Sequence, residues 1–349
     1  MPRTTQPKIS IVMSVFNNEA DVGEAIESML NQTFTDFEFI IINDASSDNS
    51  ARIIEAYSQK DDRIKLVHNF KNLKLAASLN RGIDLAQGQF IARMDADDVA
   101  MPERLQVQYD YMQVNETVAV CGTWVELYEN ADIVWKTNIN KEAANCAAFF
   151  ESCFHHPTVM IRKSVLDEFG VYNEEVTFAQ DCYLWSHLAF DHQQELNNIP
   201  QVLLRYRSHP EKERDQYRLD QYDKATELRK RNLARLNLTP SNLDYQWHDV
   251  LCCAKTLHNK DDFKHLLKWV NRLEEANKSI HLLSSPSFAK EINTKLLGVC
   301  LASAEKTLSG IMVYWRRSQG DEKLKNCYRC LRMLFIYLKT RINNVSKEV

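Results

Sequence analysis

The stretch "ISIVMSVFNNEADVGEAIESMLNQTFTDFEFIIIND", Ile9 to Asp44, decides the fold. It begins and ends on apolar runs, Ile9–Val15 and Phe37–Asn43. Runs of this kind, rich in Ile, Val and Phe, read as strands buried on both faces. Between them, Asp21–Asn31 turns Ala25, Ile26, Met29 and Leu30 to one side of a helix. A strand, a helix and a strand in this order predict parallel pairing through a crossover.

The alternation continues outward. The polar turn "DASSDNS" opens a helix carrying Ile53, Ile54 and Tyr57, with Ser47 or Asp48 as its N-cap. "RIKLVHN" is a third strand, Leu75–Ala86 a helix and Phe90–Met94 a fourth strand. This predicts an α/β fold with a mostly parallel sheet covered on both faces. Ligands of such sheets gather at the carboxyl ends of the strands, where Asp44 and Asp95 both fall. From Met101 the pattern loosens. A helix is expected over Glu103–Asn115, a strand pair in "VAVCGTWVELY", and a strand feeding a helix in "HHPTVMIRKSVLDEFG". "DCYLWSHLAF" reads as a helix and "PQVLLRYR" as a last strand. Past Tyr217 only helical patterns remain, so a boundary is placed near residue 215. Residues 1–7 read as a frayed lead-in, 8–215 as the catalytic domain and 216–349 as a helical domain.

Bulk properties remove several classes. The chain has 349 residues, is 44% hydrophobic and carries a net charge of −4, which gives no global field for nucleic acid. Nine scattered cysteines, an odd number, suit a reducing compartment. Cys327 and Cys330 form a single C-x-x-C without a second pair, a helix face rather than a zinc site. No apolar run reaches the ~20 residues of a membrane-spanning helix.

Four short segments carry candidate chemistry. In "ARMDADD", Asp95 and Asp97 stand two apart on an extended segment and face one spot, as Mg²⁺ or Mn²⁺ ligation requires. A turn with Asp97 or Asp98 capping the next helix explains the same residues. In "IINDASSDNS", Asp44 suits a uracil N3–H or an Asx turn. In "FAQDCYLW", Asp181 enters an apolar helix mouth, where burial would tune a general base, or serves as an N-terminal helix residue. In "LLRYRSHP", Arg205, Arg207 and His209 alternate on one strand face, suited to phosphate or metal, or to a polar edge.

Taken together and in order, these segments resemble the family 2 glycosyltransferases of GT-A fold. The resemblance rests on "ISIVMSVFNNEADVGEAIESMLNQTFTDFEFIIINDASSDNS", "GIDLAQGQFIARMDADDVAMPERL", "HHPTVMIRKSVL", "FAQDCYLW" and "VLLRYRSHP", and spans about residues 8–210. The nearest likeness is to bacterial enzymes that extend lipooligosaccharide or capsule. The resemblance implies a GT-A nucleotide-diphospho-sugar transferase sandwich and an inverting transfer from a UDP-sugar, a hexose or N-acetylhexosamine, to a glycan or lipid-linked glycan acceptor. It implies Ser14 and Phe16 in the base pocket, Asp44 on uracil, Asp95 on the ribose or a metal-bound water, and Asp97 on Mn²⁺ or Mg²⁺. It also implies Asp181 as base and Arg207 and His209 at the diphosphate, His209 as a possible metal ligand. Lys74 is a candidate base or phosphate contact, against a solvated lysine. His155, His156 and Trp185 are candidates for the acceptor side. The chain departs from the family pattern at Asn43, Ala45, Lys74, Gln180 and Tyr183, which puts donor choice in doubt more than catalysis.

Residues 311–345 carry eight Lys/Arg interleaved with Trp315, Tyr328, Met333, Leu334, Phe335, Ile336 and Tyr337. Such a basic, aromatic helix is expected either to rest on an anionic membrane surface or to pack as a domain helix. The expected location is cytoplasmic, peripheral on the inner face of the cytoplasmic membrane if that helix binds lipid. A dinucleotide-binding dehydrogenase needs G-x-G-x-x-G after the first strand, and "FNNEAD" stands there instead. A nucleotidyltransferase, with its glycine-rich basic loop, and a catalytically inactive glycan-binding relative are the remaining rivals.

Overall fold

The computed structural model describes residues 6–137, 140–208, 214–304, 307, 309–317, 329–334 and 336–337. Two compact units divide at Leu228/Arg229. In the first, β1 (Ile9–Val15), α1 (Val22–Leu30), β2 (Phe37–Asn43), α2 (Ser50–Ser58), β3 (Ile64–His68), α3 (Lys74–Leu85) and β4 (Phe90–Met94) alternate as expected. Then follow β5 (Val99–Ala100), α4 (Arg104–Val114), β6 (Val118–Leu127), β7 (Asn130–Trp135), α5 (Lys141–Phe150), β8 (Met160–Arg162), α6 (Lys163–Phe169), α7 (Gln180–Ser186) and β9 (Glu195–Tyr206).

The sheet order is β3-β2-β1-β4-β8-β6-β9-β5, with β7 added on β6. β1 pairs parallel with β2 and β4, and β2 with β3. Side-chain alternation splits the core between two faces. Ile9, Ile11 and Met13 face one layer with α1, whereas Val12, Ile40 and Ile42 face the other with α3. Gly82 lets α3 lie close on β1, because a Cβ there would stand 2.5 Å from Val12 Cγ1.

Beyond β4 the parallel expectation gives way. β8 runs antiparallel to β4 and β6, and β5 antiparallel to β9. The expected strand pair in "VAVCGTWVELY" is one ten-residue strand, β6, whose hairpin partner is β7. Helix α5 goes beyond the elements expected from the sequence: its charged residues, Lys141 and Glu142, both fall in the first turn, and the run after them is rich in Ala and Phe.

The second unit holds helices only among its described elements. α8 (Arg214–Arg235) crosses the division, and α9 (Asn242–Cys252), α10 (Lys260–Ile280), α11 (Ser285–Ala302) and α12 (Ser309–Arg317) follow. The loss of strand signal near Tyr217 therefore marks the start of a long helix, and the division falls later than residue 215. No helix among the described residues is long and apolar enough to cross a membrane. Of the basic tail, Arg317 pairs with Glu274 and donates to Asn293 Oδ1 at 3.1 Å, and Arg329 donates to the Tyr314 hydroxyl at 2.9 Å. Met333 is fully buried. Arg317, Arg329 and Met333 thus make contacts within the helical unit, while Leu331 and Leu334 stay exposed; Lys323, Lys325, Tyr328, Phe335, Lys339 and Arg341 lie outside the described residues, as do the side chains of Trp315 and Arg316.

Candidate active site

The parallel strands deliver their carboxyl ends to one edge. β1 ends at Ser14, half-buried, and Val15; the ring of Phe16, just beyond, is half exposed. Asp44 follows β2 and is almost fully buried. Its Oδ1 accepts from Asn69 Nδ2 at 2.7 Å and the Leu73 amide at 2.8 Å, and its Oδ2 from the Lys74 amide at 3.0 Å. Both oxygens thus hold the loop that leads into α3, a role the sequence did not disclose. Ala45 and Lys74 sit at φ 59° and 73°, the left-handed region that favours glycine. The Lys74 side chain is exposed.

β4 ends in the acid turn. Carboxylate oxygens of Asp95, Asp97 and Asp98 lie within 4.8 Å of one another. Asp95 pairs with Arg93, two residues back on the same side of β4. Asp98 corrects the helix-cap reading: it is 1% exposed, and Glu103, not an aspartate, precedes α4. Asp98 Oδ1 accepts from the Arg207 amide at 2.9 Å, while Oδ2 is buried without a partner among the described residues. Burial first, then the charges of Asp95 and Asp97, push its carboxyl up to about 8. Burial likewise raises Asp95, against the pull of Arg93. Three crowded acids, one with an orphaned buried oxygen, form a donor set that fits a hard divalent cation. Beneath the turn, fully buried Arg104 donates to the Arg93 carbonyl at 2.7 Å.

α7 carries Asp181 in its first turn, after Ala179 at φ 54°. Asp181 Oδ2 accepts from Ser152 Oγ at 3.1 Å. Burial raises its carboxyl, with the Cys182 amide, Ser152 and Arg93 acting in opposition. The charge of Asp181 in turn raises Asp95, so the acid turn and the base candidate share one electrostatic neighbourhood. Arg93 and Ser152 complete this group and were missed; an arginine two places before Asp95 in an apolar strand was the available signal.

β9 closes the site differently from expectation. Arg205 pairs outward with Glu126 at 2.8 Å. Arg207 donates to the Asp97 carbonyl at 2.9 Å and to Glu24 at 2.8 Å, lies 3.3 Å from Asp21 and stacks 3.7 Å above the Tyr128 ring. It braces the acid turn rather than standing free for a phosphate. His209 lies outside the described residues. Tyr206, at the end of β9, lies within electrostatic reach of the acids: burial and then Asp95, Asp98 and Asp97 push its hydroxyl up to about 12.

The acceptor candidates separate. Trp185 is fully buried, edge-on to Phe154 at 5.1 Å, so it belongs to the core and not to an acceptor surface. His156 is bonded to the Tyr172 hydroxyl at 2.8 Å and held neutral by burial, again an inward role. His155 lies beside the ring of Trp135, centroids 6.0 Å apart.

Comparison with known proteins agrees with this geometry. The model of the family described as "Glycosyl transferase family 2" matches residues 10–170. The chain is 30% identical over 240 residues to an uncharacterized glycosyltransferase of Haemophilus influenzae, covering 65% of this chain and 73% of that one. It is 34% identical over 209 residues to the O-antigen biosynthesis glycosyltransferase WbnJ of Escherichia coli, covering 58% and 80%. Among solved structures, S. aureus TarS 1-349 in complex with UDP-GlcNAc superposes with a TM-score of 0.54 at 17% identity, over 95% of this chain and 92% of that one. The mannosyltransferase PcManGT of Pyrobaculum calidifontis, in complex with GDP-Man and Mn²⁺, gives 0.51 at 14% identity, over 99% and 89%. The fold is GT-A, and the chain belongs to glycosyl transferase family 2.

Proposed function

We propose that the protein transfers a sugar, a hexose or N-acetylhexosamine, from a UDP-sugar to a hydroxyl of a glycan or lipid-linked glycan, with inversion, in surface polysaccharide synthesis. The observation that carries this is the acid turn of Asp95, Asp97 and Asp98, with Asp181 near enough for its charge to act on Asp95. Phe16, half exposed at the end of β1, suits stacking on a base. Asp97, Asp95 and Asp98 would hold Mn²⁺ or Mg²⁺, which when bound neutralises charge on the departing diphosphate. Asp181 takes the proton from the acceptor hydroxyl as its oxygen bonds to the anomeric carbon. The bond to the UDP oxygen breaks on the opposite face, so the configuration inverts and no sugar–enzyme bond forms. Ser152 orients Asp181, and burial brings its pKa closer to working pH. A similar fold carrying UDP-GlcNAc in TarS supports a UDP-sugar donor.

The test is a panel of nucleotide sugars scored by nucleotide release, with and without EDTA. Release should require the metal. Asp181→Asn should lower transfer by about 10³-fold or more while UDP–Mn²⁺ binding persists, and Asp97→Ala should weaken both. Near-normal turnover by Asp181→Asn would sink the assignment. The acid limb of kcat/KM should lie above the ordinary carboxylate value of 3.8, since activity needs ionised Asp181 and its pKa is raised.

A further inference from the structure

Trp135 closes β7 at the edge of the hairpin and keeps 42% of its surface exposed. Its ring meets Tyr206 at 5.5 Å between centroids and His155 at 6.0 Å, tilted 42° and 31°. β6 runs between the two aromatic residues, pairing Val125 with Trp135 and Leu127 with Tyr206. Tyr206 feels the charges of all three acids of the turn. His155 lies three residues after Ser152, which holds Asp181. Tyr206 thus lies within electrostatic reach of the acid turn, and His155 belongs to the segment whose Ser152 holds Asp181.

The His155 ring donates to the backbone of Trp135, and its Nε2 is enclosed, with no hydrogen-bond partner among the described residues. Donation through the other nitrogen leaves Nε2 as an acceptor, and burial keeps the ring neutral. Enclosed in this way, Nε2 is out of reach of a docked sugar, and His155 serves the site as a flat ring beside the indole. Beside it stands an indole face open to solvent. The C–H face of a pyranose is apolar and weakly positive, complementary to the negative face of an aromatic ring.

We propose that Trp135, flanked by Tyr206 and His155, is the platform on which a pyranose ring of the acceptor stacks. This rests on the transferase reading above and names where the acceptor is held.

Ligand-detected NMR on the full chain tests it, with methyl α- and β-pyranosides of glucose, galactose, mannose and their 2-acetamido forms as probes. At least one should bind the wild type at millimolar concentration. Trp135→Ala should weaken that binding by about tenfold or more, and Trp135→Phe by no more than about threefold. Both variants should bind UDP with Mn²⁺ as the wild type does, which shows that the fold and donor side persist. Absence of binding by every probe, or equal binding by Trp135→Ala and wild type, overturns the platform. Absence of UDP–Mn²⁺ binding by the wild type instead overturns the donor reading and leaves the pyranoside result to stand on its own.

Discussion

Ala45 shows how one residue records a local compromise. It follows Asp44 at φ 59°, where an L side chain crowds its own backbone. Asp44 needs that turn, since its carboxylate must reach the amides of Leu73 and Lys74. Glycine accepts the same angle without the clash. Ala45→Gly should therefore raise stability by up to about 1 kcal/mol, the left-handed penalty outweighing the added chain entropy. Chemical denaturation would check it, and a fall in midpoint would contradict it. The acids of the turn separate at this scale as well. Asp95 is neutralised by Arg93, and Asp98 receives only one backbone N–H. Nothing in "DADD" distinguishes them; the difference comes from which side chains stand across the turn.

At the scale of elements, α3 reaches the sheet through Gly82. A methyl group there would meet Val12 at 2.5 Å, from a β-branched side chain fixed in the middle of β1. Gly82→Ala should cost about 1–3 kcal/mol by overpacking, despite its better helix propensity. Thermal unfolding measures this, and a stabilised variant would show that α3 is free to lift. The β6–β9 half of the sheet behaves differently. Its strands mix parallel and antiparallel pairing, and bulges interrupt the β6–β9 register. Those irregularities accompany the placement of Tyr206 within electrostatic reach of the acids while Arg205 pairs outward with Glu126. Arg207 then ties the end of β9 to α1 through Glu24 and to the β6–β7 turn through Tyr128.

At the scale of the whole molecule, the helical unit carries its own pH sensitivity. His248 is 1% exposed; its Nδ1 accepts from Trp269 Nε1 at 3.3 Å. Burial first, then Arg229, depress its pKa from 6.5 to about 3. The unfolded chain thus binds a proton between about pH 6.5 and 3 that the folded unit refuses, and stability falls as pH drops through that window. One such group sets a limiting slope of about 1.4 kcal/mol per pH unit. His248→Gln should flatten the dependence, followed by tryptophan fluorescence between pH 7 and about 4.5. An unchanged slope would show that other groups dominate.

The strands, helices and carboxylates of the first hundred residues were legible in the sequence, because burial on both faces writes a continuous apolar run and a parallel crossover needs a helix. So were Asp95, Asp97 and Asp181 as candidates, each at an apolar boundary where a charge needs a reason. The helical character of the later third was legible as well, from its periodicity. Tertiary structure decided the rest. It turned Asp98 inward, buried Trp185 in the core, tied His156 to Tyr172, made Arg207 a brace and set Trp135 beside His155 and Tyr206. Each of these depends on which distant strand or loop lies opposite, and local periodicity holds no record of that.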